Sequence, residues 1–319
     1  MTRAFFLAAL LTAVSASVSP AQDSSTKPAT KAKAKGKKQA PAMTDVAVKH
    51  EDKVYKKTPQ GELTLHFSLP VDWKAEDKRP AIVFFFGGGW TNGSYEQFVA
   101  QSDYFASRGM VAASADYRIK SIHKTEPDKC VEDAKSAVRW LRQHAAELGI
   151  DPEKVVASGG SAGGHIAACT ALVTAYDAET DPKGISAVPN AMVLFNPALN
   201  IDELKLKTQT GAEDRKMFEA ITPNRFIKAG TPPAIMFFGT DDKLKVGADQ
   251  YLSKAKPLGV RAELWTAEGQ GHGFFNKAPY AQLTTKKADE FLASLGYVKG
   301  APTVKVPEGA PSLQEEKKD

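Results

Sequence analysis

Only two cysteines, Cys130 and Cys169, occur in 319 residues. A fold stapled by several disulfides is therefore excluded, since one bridge at most can form. In an oxidising compartment the two could pair, and buried free thiols are the equal alternative. No cluster of cysteine, histidine and carboxylate has metal-ligand spacing, so a structural zinc is not supported. No apolar run reaches the ~20 residues that a membrane-spanning helix needs. Internal repeats are also missing. The net charge of +5, from 42 basic and 37 acidic side chains, is modest and concentrated near one end, so it gives no case for a nucleic-acid partner.

What is present is an ordinary globular composition, 42% hydrophobic and 25% charged, sufficient for one α/β domain with a deep core. The first residues, "MTRAFFLAALLTAVSASVSPAQ", combine Arg3, an apolar run from Ala4 to Val14, and small residues around Ala16 and Ala21. This pattern predicts a cleaved secretory signal over residues 1–21, and hence a periplasmic or secreted protein with no integral membrane segment after its removal. Residues 22–44 contain "STKPATKAKAKGKKQAPA", which holds lysines, alanines and prolines but nothing able to anchor a core. A disordered basic linker is expected there, serving as a solvated spacer or, through Lys27 to Lys38, as a tether to anionic polymers. The folded unit is placed at residues 45–299, with the Gly- and Pro-rich residues 300–319 as a flexible tail.

Between these limits, strand and helix patterns alternate. "AIVFFFGGG", "MVAASADY", "KVVASGG", "AMVLFNP", "PPAIMFFGT" and "RAELWTAEG" are short apolar runs of the kind buried on both faces of a parallel sheet. Helical stretches lie between them. The clearest has Val131, Ala134, Val138, Leu141, Ala145 and Leu148 at steps of three and four, closed by Gly149. Others are "YEQFVAQSDYFASRG", "AGGHIAACTALVTAY", "GADQYLSKAKPLG" and "PYAQLTTKKADEFLASLG". The succession predicts an α/β fold with a mostly parallel sheet covered by helices on both faces.

"SGGSAGGH", residues 158–165, joins a strand run to a helix run through Ser161. It contains the G-x-S-x-G pattern of a sharp strand-to-helix turn, in which small residues on either side of the serine let backbones approach closely. The helix that follows aims its N-terminal amides at the same place, where negative charge is favoured. Ser161 is thus a candidate nucleophile. A serine hydroxyl needs a base to take its proton, and the base needs an orienting acid. Among six histidines, His272 in "GQGHGF" follows the last strand run on an adaptable loop and is the candidate base. His165, four residues after Ser161 on a helix, is expected to pack or cap locally. "FFGTDDKL" ends the preceding strand with two carboxylates, Asp241 and Asp242, either of which could orient the base.

From about residue 61 to 297 the chain resembles the α/β-hydrolase esterases of the hormone-sensitive-lipase and BD-FAE type, particularly secreted bacterial acetylxylan or carbohydrate esterases. The pieces that carry the resemblance are "FGGGW", "DYR", "DAKSAVRWLR", "GIDPEKVVASGGSAGGH", "GTDD" and "GHGF". It implies the α/β-hydrolase fold with a small cap insertion, for which residues 199–220 are the candidate. The family's G-T-x-D spacing selects Asp242 as the acid and leaves Asp241 as a neighbour. The resemblance assigns oxyanion binding to the main-chain amides of Gly88, Gly89 and Ala162. The chain departs from the pattern at Phe86, where the family commonly has histidine. Tyr117 and Arg118 are implied to support the site, and Trp90 to wall the acyl pocket, to stack on a sugar or simply to pack the loop. The resemblance therefore implies a serine carboxylester hydrolase that removes short acyl groups, acetyl above all, from carbohydrate or small-molecule esters and requires no cofactor or metal. The alternatives are a serine peptidase of the prolyl-oligopeptidase type and an inactive hydrolase-fold binding protein.

Overall fold

The computed structural model describes residues 43–205 and 212–317. The expected signal and nearly all of the expected linker lie outside the described residues. Nine strands are found among those described: β1 (Val48–Thr58), β2 (Gly61–Pro70), β3 (Arg79–Phe85), β4 (Val111–Ala115), β5 (Ile150–Gly160), β6 (Ala191–Phe195), β7 (Ala234–Gly239), β8 (Ala262–Ala267) and β9 (Gln314–Glu315). They form one sheet in the order β1-β2-β4-β3-β5-β6-β7-β8-β9. The six strands from β4 to β8 in that order run parallel, and each was visible as an apolar run. The antiparallel strands lie at the margins.

The helices are α1 (Val99–Ser107), α2 (Lys120–His123), α3 (Pro127–Gln143), α4 (Ala162–Leu172), α5 (Ile201–Lys205), α6 (Ala212–Ala220), α7 (Lys245–Ala255) and α8 (Tyr280–Ser294). Each sheet face has its own buried cluster. On one face, Val83 and Met236 pack with Val131 of α3, Ile166 of α4 and Tyr251 of α7. On the other, Ile82 and Phe237 pack with Phe105 of α1 and Phe291 of α8. A parallel strand covered on both faces has no solvent-facing positions, which is why β3 is apolar and buried from Ala81 to Phe85. No helix among the described residues is long and apolar enough to cross a membrane.

Several boundaries differ from the expectations. Helix α3 begins with Pro127 at its first turn, where the missing N–H costs nothing, and ends at Gln143, five residues before the apolar repeat does. His144 leaves helical geometry (φ −102°, ψ 17°), yet a turn closed by Leu148 N–H onto the His144 carbonyl still buries Ala145 and Leu148. Met43, expected in the linker, is buried and receives a hydrogen bond from Thr285 Oγ1 on α8.

The expected flexible tail is fixed to the body as far as Glu316, whose N–H donates to the Leu264 carbonyl at 2.8 Å. Arg108 donates to the carbonyls of Lys299 (2.8 Å) and Gly300 (2.9 Å), and the Tyr104 hydroxyl accepts the Thr303 N–H at 3.1 Å while donating to Asp289 at 2.7 Å. Val304 and Leu313 are buried, and β9 pairs with β8. Proline and glycine made the segment read as unstructured, but two buried apolar side chains, these main-chain hydrogen bonds and the β9 pairing seat it. The expected cap contains α5 and α6, and Ile201 of α5, Phe218 of α6 and Ile221 just after α6 enter the core. Its middle, residues 206–211, lies outside the described residues.

Candidate active site

The carboxyl ends of β3, β5, β7 and β8 bring the candidate groups to one rim of the sheet, the edge at which open α/β sheets bind ligands. Ser161 occupies the turn between β5 and α4 with φ 54° and ψ −117°, a conformation that non-glycine residues rarely hold. A Cβ at Gly159 would stand 2.6 Å from the Gly163 carbonyl carbon, and one at Gly163 only 2.0 Å from the Phe85 oxygen. Main chains approach too closely there for any side chain, so both glycines are sterically required. The turn is held by Ser161 N–H donating to the Phe195 carbonyl at 2.9 Å.

His272 extends from the loop after β8. Its Nε2 lies 2.8 Å from Ser161 Oγ and its Nδ1 2.8 Å from Asp242 Oδ2. Asp242 is buried, and its second oxygen accepts the Leu244 N–H at 2.9 Å. Asp241 is exposed, and its N–H binds the Gln270 carbonyl. Both aspartates, with Lys243, Leu244 and His272, line a cleft of about 390 Å³.

The glycine loop after β3 lies against this turn. Gly88 has φ 131° and Gly89 φ 63°, and the Gly88 carbonyl accepts the Thr91 and Asn92 amides, coiling the loop tightly. Among the described residues, the Gly88 and Gly89 amides donate to no protein group. Ala162 opens α4, so its N–H belongs to the unpaired first turn of that helix. Phe86 stacks on Tyr117 with centroids 4.2 Å apart, and the Tyr117 hydroxyl donates to the Phe86 carbonyl at 2.7 Å. Ring stacking therefore orients the loop where the family commonly has histidine. Arg118 grips buried Asp133 through Nε (2.8 Å) and Nη2 (2.7 Å), which fixes the chain leaving β4.

Trp90 is buried, and its Nε1–H donates to His165 Nδ1 at 3.1 Å. His165 Nε2 lies 2.7 Å from the Ile221 carbonyl, so the ring is a neutral imidazole with its proton on Nε2. Burial pushes its pKa down to about 4. The indole thus packs the loop onto α4, the simplest of its three expected roles. The cysteines are both buried and free: Cys130 Sγ approaches the Arg118 carbonyl at 3.1 Å and Cys169 Sγ the Ile221 carbonyl at 3.3 Å.

No motif in the chain pointed to Asn196. It follows β6 with φ 35°, is fully buried, and places Nδ2 3.1 Å from His272 Nδ1 and 3.2 Å from Nε2. The only available sign was its position, an asparagine ending an apolar strand run. Neither was Gln97 or Asn276 distinguished by any motif, although each lies beside the site.

The BD-FAE family model matches residues 68–252. A thermophilic esterase from the Planctomycetes species Thermogutta terrifontis, solved with butyrate bound, is 47% identical over 79% of this chain and 96% of its own, with a TM-score of 0.73. The esterase 2 of that organism phosphorylated by paraoxon matches with the same identity, coverage and TM-score. Among curated proteins, carboxylesterase NlhH of Mycobacterium tuberculosis is 26% identical over 69% of this chain and 74% of its own. An acetylxylan esterase of Xylanibacter ruminicola is 26% identical over 61% of this chain and 41% of its own.

Proposed function

The chain belongs to the BD-FAE family and is a carboxylic ester hydrolase, and from that premise we propose that Ser161 is its nucleophile, His272 its general base and Asp242 the acid that orients the base. The observation that carries this reading is the pair of 2.8 Å contacts through which one imidazole meets Ser161 Oγ and Asp242 Oδ2. In that arrangement Nδ1–H donates to Asp242, which leaves the Nε2 lone pair to accept the serine proton.

Catalysis then proceeds in two acyl transfers. Ser161 Oγ attacks the ester carbonyl as His272 takes its proton, and the negative oxygen is received by the Gly88, Gly89 and Ala162 amides. The imidazolium gives its proton to the leaving alcohol, forming the acyl-serine. Water, deprotonated by the same ring, attacks the acyl-serine and releases the acid, and the proton returns to Ser161.

The substrates we propose are esters of short acyl groups, acetyl foremost, on carbohydrates or small molecules. Support comes from the likeness to the acetylxylan esterase and from the butyrate bound to the Thermogutta esterase. Export through the N-terminal signal completes the reading and would deliver the enzyme to environmental polymers. The test is an acyl-length series of p-nitrophenyl esters, run beside acetylated xylan. Each methylene that a narrow pocket rejects changes transition-state binding by about 1–3 kcal/mol, so kcat/KM should be far higher for acetate and butyrate than for octanoate. Preference for octanoate, with acetylated sugar inert, would replace this reading by a lipase-like one. Cleavage of prolyl peptides alone would favour a peptidase.

A further inference from the structure

Two polar side chains bridge the oxyanion loop to the histidine loop across 179 residues of sequence. Gln97 lies in the turn of helix just before α1, and its Oε1 accepts the Gly87 N–H at 2.6 Å. Its Nε2 donates to Asn276 Oδ1 at 2.9 Å. Asn276 in turn donates from Nδ2 to the Gly273 carbonyl at 3.0 Å, and its own N–H reaches the same oxygen at 3.1 Å. Gly87 immediately precedes Gly88 and Gly89, and Gly273 immediately follows His272.

The direction of every bond in this chain is fixed by its ends. A backbone N–H can only donate, so the Gln97 atom facing Gly87 is the oxygen and its far end is the amide nitrogen. A backbone carbonyl can only accept, so the Asn276 atom facing Gly273 is nitrogen and the other is oxygen. The two carboxamides then meet donor to acceptor, with no rotation of either able to preserve the pairing. The loops they join hold opposite halves of the chemistry. One presents amides to the developing oxyanion, and the other presents the base, on separate segments with no strand pairing between them.

We infer that Gln97 and Asn276 are positioning residues that set the separation between the oxyanion-binding amides and His272. The inference rests on the assignment of Ser161, His272 and the glycine amides made above. Neither side chain meets the reacting atoms. Their effect is on kcat, because the spacing of amide and base matters most when charge has developed on the carbonyl oxygen, and a small misplacement there is amplified in rate.

The experiment is a double-mutant cycle on p-nitrophenyl butyrate, with thermal unfolding recorded for every variant. Gln97→Met keeps the chain length and removes donor and acceptor together, and Asn276→Ala removes the far half. Each single substitution should lower kcat about tenfold with KM changed less than about twofold, and the double should be no slower than the slower single. Asn276→Asp gives a second version of the far half, since its side chain still accepts from Gln97 but cannot donate to Gly273, and it should match Asn276→Ala. Losses that multiply in the double, or lowered melting temperatures with unchanged kcat, overturn the inference. Ser161→Ala is assayed in parallel: activity surviving there removes the nucleophile assignment itself, and this inference with it.

Discussion

The Asn196 carboxamide lies across the His272 ring, with Nδ2 3.1 Å from one ring nitrogen and 3.2 Å from the other. Both nitrogens already have partners, Asp242 and Ser161, so a group nearly equidistant from them must cover a face of the imidazole. Asn196 Oδ1 has no hydrogen-bond partner among the described residues, and the backbone there has positive φ. Asn196→Gly separates these features, since glycine accepts the backbone and deletes the amide. We expect kcat to fall about tenfold, with KM little changed and the melting temperature nearly kept. Undiminished kcat in the glycine variant would mean that asparagine serves only the turn.

The two neighbouring carboxylates differ in burial and in contact. Asp242 is buried against His272, whereas Asp241 is exposed. Asp242→Asn should cost kcat by roughly 10²–10⁴, through loss of the orienting charge and a misplaced ring proton, and Asp241→Asn less than about threefold. Steady-state kinetics of the pair decides it, and equal losses would assign a role to both.

His165 supplies a pH dependence of known sign. Its folded pKa, about 4, lies below the usual 6.5, so the unfolded chain binds the extra proton first as pH falls. Stability attached to this ring is intact above about pH 6.5 and declines as pH drops toward 4, by on the order of 3 kcal/mol in total. His165→Gln can still accept from Trp90 and donate to Ile221 but does not titrate there. Denaturant unfolding of both proteins at pH 7 and pH 4.5 should show the wild type losing more stability than the variant, and parallel losses would remove His165 as the cause.

Removing residues 300–319 should be costly, because buried Val304 and Leu313 leave the core and Tyr104 loses its Thr303 partner. Side chains of that size contribute about 1.5–3 kcal/mol each on burial. A truncation ending at Lys299 should therefore unfold at clearly lower temperature, and an unchanged melting temperature would show that the segment is not seated in solution.

The central strands and the serine turn were legible in the sequence because each depends on local chemistry: an apolar run buried on both faces, and glycines where main chains touch. Asp242 needed the resemblance, since nothing in "TDD" separates two adjacent carboxylates. The β1–β2 hairpin was missed because β1, with most of its side chains partly or fully exposed, carries charges where a buried strand would carry apolar residues. Asn196, Gln97 and Asn276 were invisible for another reason. Asn196 meets a ring 76 residues away, Gln97 and Asn276 meet each other across 179 residues, and an amide side chain announces nothing until the fold supplies what it bonds.

The short strand β9 also bears on how copies of this protein meet one another. It covers β8 through only two residue pairs, Trp265 with Glu315 and Thr266 with Gln314, and Glu316 then reaches Lys245 at 2.8 Å. An uncovered outer strand is a template for strand addition by a second molecule. Two pairs and a glutamate therefore shield the β8 side of the sheet from such pairing, and a chain lacking them should associate increasingly with concentration even at temperatures where it remains folded.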